Sequence, residues 1–93
     1  MILNENQLKQ YFSRIGLRYE DYADRELDSA YLKELSIVHS TTMPFENLDI
    51  LAGKLISLKE EDLFEKIIVH RRGGNCFELN GLCGVLLRSL GLV

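Results

Sequence analysis

Arg72-Gly73-Gly74-Asn75-Cys76-Phe77-Glu78-Leu79-Asn80 carries the strongest chemical signal in the chain. Two adjacent glycines interrupt what precedes them, and a cysteine follows where an apolar, helix-periodic run begins. The spacing predicts a thiol in the first turn of a helix. Free backbone N–H groups and about half a positive charge collect at a helix start and favour thiolate over thiol. The thiolate is the nucleophilic form of cysteine, and the Gly-Gly pair leaves room beside the sulfur for a small molecule. A nucleophilic cysteine also needs a base, usually histidine. His39 and His70 are the histidines of the chain, and each reads first as a surface or helix-end residue. Cys83, two turns after Cys76 in a row with Leu79 and Leu86, reads as a core residue.

Arg72 and Glu46 each flank a chain-breaking residue and fit no exposed helix face. The simplest alternative to two solvated charges is an ion pair that ties the Pro44–Leu48 loop to the cysteine loop, with Asp49 competing for the arginine. By type, Cys76, Cys83, His39 and His70 are zinc ligands, but their spacing matches no Cys-x-x-Cys pattern, so no metal is expected. No Gly-Lys-Ser/Thr follows Gly73-Gly74, which argues against a phosphate loop.

The elements that would hold these groups are mostly helical. Leu8, Tyr11, Phe12 and Ile15 recur at helical spacing, with Asn4 or Asn6 as cap and Gly16 as stop. Residues 17–27 carry Tyr19, Tyr22 and several acids and read as an exposed connection. A second helix is predicted from Asp28 to Thr41, with Tyr31, Leu35 and Val38 on its apolar stripe and Met43-Pro44 as its end. Ile50-Leu51, Ala52-Gly53-Lys54 and Leu55-Ile56 suggest a short β-hairpin. Ser57-Leu58-Lys59-Glu60 has the capping-box pattern, so a third helix should follow it, burying Leu63, Phe64, Ile67 and Ile68 and breaking at Gly73-Gly74. The fourth helix starts near Cys76 and closes at Gly91, and Leu92-Val93 look like the first step of a strand. The fold class expected is mainly α: a bundle of about four helices with a short β-hairpin, one domain over residues 1–93.

Size and charge narrow the function. Ninety-three residues allow one modest core. A net charge of -3 and the absence of a Lys/Arg run argue against nucleic acid as a partner. The N-terminus lacks a basic segment followed by an apolar run, and nothing approaches the roughly 18 apolar residues of a membrane span. A cytoplasmic location with reduced thiols is the expectation. Within one helix Cys76 and Cys83 would lie roughly 10.5 Å apart along the axis, beyond the reach of about 7 Å that a disulfide allows.

Together, Arg72-Gly73-Gly74-x-Cys76-x-Glu78-x-Asn80 and the earlier Pro44-Phe45-Glu46-Asn47-Leu48 resemble the amino-terminal part of the arylamine N-acetyltransferases. The resemblance runs from the first helix to the last residue. It implies a Cys-His-Asp triad and ping-pong acetyl transfer. Acetyl-CoA would acylate the cysteine, and an arylamine, hydrazine or arylhydroxylamine would take the acetyl group, as in xenobiotic metabolism. Cys76 falls on the family's nucleophile, Phe45 on a phenylalanine walling the acceptor pocket, and Arg72, Glu46, Gly73 and Gly74 on residues that support the site. The family's histidine and aspartate lie well beyond the cysteine, in a β barrel. His39 and His70 match neither. The resemblance therefore implies the helical, nucleophile-bearing domain without the barrel and third domain: a truncated, inactive chain, natural or trimmed. The alternative is a non-enzymatic remnant that associates with itself through apolar faces near Ile50, Leu51, Leu92 and Val93. Asn75 stands where the family tends to carry a bulkier residue, which implies a different acceptor preference.

Overall fold

The first helix is fixed by its cap. Asn4 accepts a hydrogen bond from the Gln7 backbone N–H (2.8 Å), and the Gln7 side chain accepts one from Asn4 N–H (3.0 Å). This reciprocal pair satisfies two donors that a helix start leaves open. Helix α1 then runs Glu5–Arg14, buries Leu8, Tyr11 and Phe12, and stops where Gly16 takes φ +81°. The computed structural model describes all residues except Asn47, Lys54, Leu55, Leu92 and Val93, and the side chain of Ile50.

The segment expected to be an exposed connection is only half so. Its acids are exposed, but a 3₁₀ turn at Tyr19–Asp21 brings two tyrosines back onto the core. Tyr19 and Tyr22 lie 5.4 and 5.5 Å from the Phe12 ring, and Tyr22 meets Tyr31 edge-on at 5.1 Å. Aromatic area outweighs the local acidity of the sequence there. Helix α2, Ser29–Thr42, is capped by Asp28, which accepts from Tyr31 N–H at 2.9 Å. It ends at Met43, whose extended backbone is what the following proline requires.

The predicted hairpin is not formed. Its first arm lies in a short helical turn, α3 (Leu48–Leu51), with Ala52 N–H donating to Leu48 O at 2.9 Å. Gly53, at φ +76°, ends that turn. The second arm includes Lys54 and Leu55, outside the described residues, as does the strand start suggested at Leu92-Val93. Among the described residues no strand appears; the sole β-type contact is an isolated parallel bridge between Phe45 and Gly74.

Helix α4 (Glu60–Phe64) continues into a π turn at Glu65–Val69. Its start departs from the expected capping box. Ser57 Oγ donates to Asp62 (2.6 Å) instead of capping, while Glu60 is held by the N-terminal ammonium (3.0 Å) and by Arg88. Leu63, Phe64, Ile67 and Ile68 are all buried as predicted. The stop, however, precedes the glycines: Arg71 adopts φ +57°, and Arg72 N–H donates to Lys66 O. Arg14 reaches over from α1, donating to Ile67 O (3.0 Å) and to the Arg71 and Arg72 carbonyls (3.4 and 3.3 Å). A guanidinium thereby satisfies carbonyls that the helix end leaves open. Helix α5, Cys76–Ser89, packs on α4, where a Cβ on Gly81 would stand 3.1 Å from Leu63 Cδ1. Leu82, Val85 and Leu86 complete the core. No helix among the described residues is long and apolar enough to cross a membrane.

Candidate active site

Cys76 is the first residue of α5, and its position is set by the residue before it. Asn75 accepts from Glu78 N–H (2.9 Å), and Glu78 accepts in return from Asn75 N–H (3.1 Å). This second capping box fixes the first turn from which the thiol projects. Asn75 is thus a buried cap rather than a pocket wall. Cys76 is exposed.

The two glycines do something other than make room for a substrate. A Cβ on Gly73 would stand 1.9 Å from the Pro44 carbonyl oxygen, and one on Gly74 would stand 3.0 Å from Glu78 Cβ. The space is already filled by protein. Backbone bonds join the loops there: Glu46 N–H to Gly74 O (3.0 Å) and Gly74 N–H to Pro44 O (3.2 Å). Glycine lets two backbones approach this closely, and the approach carries Phe45 to the cysteine.

The ion pair expected of Arg72 is present and wider than expected. Arg72 donates to Glu46, and also to both Asp49 oxygens at 3.1 and 3.2 Å. These bonds hold its pKa above the usual guanidinium range, and the bonds from Arg72 and Lys66 hold Asp49 below the usual carboxylate range. Lys66 then extends the chain of charges to Glu78 (2.8 Å) and to Asp49 (3.0 Å). Burial pulls the Lys66 pKa down, but its bonds to Glu78 and Asp49 outweigh that and raise it. Sequence reasoning missed Lys66, and it placed Glu78 in the motif without assigning it a role. Asn75-x-x-Glu78 has the spacing of a capping box and was readable; nothing local announces that Lys66 meets it.

Cys76 opens on a cavity of about 310 Å³, whose lining includes Ser36, His39, Met43, Phe45 and Cys83. Phe45 is 65% exposed at its rim. His39 sits in the last turn of α2, at a helix end as one of the two expected readings had it, but not at the surface. It is buried, 2.6 Å from the Tyr11 hydroxyl, and burial, with a smaller push from Arg14, lowers its pKa. His70 is exposed, beside Glu65 at 3.3 Å and away from the cavity lining. Cys83 is half-buried at the cavity wall, where burial pushes its thiol pKa up. Among the described residues no group of three or more His, Cys, Asp or Glu side chains could hold a metal ion. The arrangement offers one accessible sulfur at a helix start, an aromatic rim, and a rigid frame of charges behind it.

Known proteins resemble the chain in both sequence and fold. A family model described as N-acetyltransferase matches residues 28–92. An arylamine N-acetyltransferase of Mycobacterium tuberculosis is 47% identical over 85 residues, covering 90% of this chain and 29% of that protein. An N-malonyltransferase of Fusarium pseudograminearum is 45% identical, covering 95% of this chain and 29% of the relative. The crystal structure of the Nocardia farcinica arylamine N-acetyltransferase superposes with a TM-score of 0.78 at 38% identity, covering 90% of this chain and 28% of that one. The chain spans less than a third of the length of these relatives.

Proposed function

Because the chain belongs to the arylamine N-acetyltransferase family, we propose that its residues form the acyl-accepting half of an acetyl-transfer site, with Cys76 as nucleophile. The observation that carries this reading is the exposed thiol at the first residue of α5, opening on a cavity rimmed by Phe45.

In this reading the Cys76 sulfur attacks the thioester carbonyl of acetyl-CoA, a substrate. The new S–C bond forms as the bond to the CoA sulfur breaks, and CoA leaves as the thiol. The amine nitrogen of an arylamine, hydrazine or arylhydroxylamine then attacks the acetyl-cysteine and restores the thiol. Phe45 walls the acceptor side. Arg72, Glu46, Gly73 and Gly74 hold the Pro44 loop against the cysteine loop. The N-malonyltransferase relative makes a malonyl donor the second one to test. The free thiols Cys76 and Cys83 suit a reducing, cytoplasmic setting.

In this reading neither histidine of the 93 residues serves as the base, although His39 lines the same cavity as Cys76. His39 is engaged with Tyr11, and His70 lies away from the cavity lining. Removal of the base from a nucleophile of this kind costs orders of magnitude in rate. The chain alone is therefore expected to take up an acyl group slowly on Cys76 and to turn over little. Incubation with acetyl-CoA, with and without an arylamine, tests this by mass spectrometry of the chain and of its Cys76→Ser variant. One acetyl group on Cys76 without turnover is the expected result. Rapid Cys76-dependent turnover would overturn the missing-base argument, and absence of label on Cys76 would overturn its role as nucleophile.

The second reading, a self-associating module without activity, is favoured by the large exposed side chains Phe45, Leu48, Leu51 and Phe77.

A further inference from the structure

Among the described residues Glu78 is the most deeply buried carboxylate, with its side chain 3% exposed. One of its oxygens accepts from Asn75 N–H, and the other accepts from Lys66 Nζ. A carboxylate removed from water is costly unless a cation and hydrogen bonds compensate it. Lys66 supplies that cation from the π turn of α4, with its own side chain 16% exposed. The same ammonium binds Asp49 at 3.0 Å, and Asp49 binds Arg72. Lys66 is thus the junction between the Pro44–Asp49 segment and the start of α5. A π turn is an uncommon winding that recurs near functional sites. Here it holds Ile67 and Ile68 in the core while Lys66 reaches α5.

We propose that Lys66 is a positioning residue for Cys76: its ammonium holds the Glu78 carboxylate, Glu78 holds Asn75, and Asn75 sets the turn that aims the sulfur. The mechanical claim concerns where the thiol sits, and its catalytic meaning rests on Cys76 being the nucleophile. Without the ammonium, Glu78 either leaves its buried place, which loosens the cap, or stays as an unpaired negative charge beside the helix start. Both outcomes disturb the turn that presents the Cys76 sulfur and slow its reaction with an electrophile. Cys83, two turns further along the same helix, is outside this chain of contacts and serves as an internal reference.

The test is alkylation of the full 93-residue chain with iodoacetamide, read by mass spectrometry as the rate at Cys76 relative to Cys83, with melting temperature recorded alongside. Lys66→Met should lower that ratio by about threefold, the size of a lost helix-start interaction. Lys66→Arg, which keeps the charge, should restore it. In a Glu78→Gln background, Lys66→Met should cause no further fall, because the two residues act through one path. If the Lys66→Met variant does not fold, the comparison passes to Glu78→Gln against the double variant, neither of which buries an unpaired carboxylate. A lower melting temperature with an unchanged ratio, failure of arginine to rescue, or a further fall in the double variant would each overturn the proposal. The readout uses no acyl donor, so it stands or falls separately from the assignment of acetyl transfer.

Discussion

Tyr11 and His39 meet 2.6 Å apart beneath the cavity that Cys76 opens on, and burial governs both. It raises the Tyr11 pKa far above the usual phenol range, with a smaller push from Cys83, so the hydroxyl keeps its proton and can donate to Nε2. It lowers the His39 pKa from 6.5, so the imidazole is neutral when folded. The unfolded chain, with His39 at its ordinary value, binds a proton that the folded chain refuses. Stability from this residue is full above about pH 6.5 and is lost progressively as pH falls below it, until the folded value is reached. Melting temperatures at about pH 7.5 and about pH 5 should therefore fall further in the native chain than in His39→Gln, which keeps a polar partner for Tyr11. Equal falls would remove His39 as the source. In the sequence this residue looked like a helix end near the surface, since His39 lies close to Met43-Pro44. Its partner is 28 positions away, and no local pattern reports a contact of that range. Arg72 and Glu46 were legible for the opposite reason: two charges beside chain breakers have few places to go except to each other.

At the scale of elements, the site depends on two loops meeting backbone to backbone. Gly73→Ala would press a Cβ to 1.9 Å from Pro44 O, a fixed backbone atom. The loops must then separate, with loss of the bonds from Glu46 N–H and Gly74 N–H. The expected cost is about 1–3 kcal/mol, in the range of other overpacked sites. Gly74→Ala presses on the Glu78 side chain at 3.0 Å and should cost less. Urea unfolding of the two variants orders them, and a larger loss for Gly74→Ala would contradict this account of the loop contact. The four main helices were readable because each carries an apolar stripe of period 3.6 and a recognisable end. The run Leu48–Ile56 defeated the same reasoning. Four apolar residues around Ala-Gly suit a hairpin or a helical turn equally, and ion pairing of Asp49 with Arg72 and Lys66 accompanies the helical outcome. Neither partner is near it in sequence. The π turn was likewise invisible, since Leu63, Phe64, Ile67 and Ile68 give an ordinary helical stripe.

The whole molecule is an elongated body of 43 × 23 × 22 Å, with large apolar side chains both in its core and on its surface. Tyr11, Phe12, Ile67, Leu82 and Val85 have no exposure at all. Phe45, Leu48, Leu51 and Phe77, by contrast, are 60–74% exposed. Phe45 and Phe77 stand on the two loop-to-helix segments that the Phe45–Gly74 bridge joins, and Leu48 and Leu51 lie on the short turn that follows Phe45. Exposed apolar side chains close together mark surfaces that associate. A net charge of -3 opposes association only weakly at physiological salt, where the screening length is about 8 Å. The 93-residue chain should therefore sediment with a weight-average mass that rises with concentration. Replacing Leu48 and Leu51 together by lysine should shift that curve toward the monomer. Both side chains are already exposed, so the helical circular dichroism should be unchanged. A chain that stays monomeric over the full concentration range, or a double variant that associates as the native chain does, would show that these side chains are ordinary exposed surface.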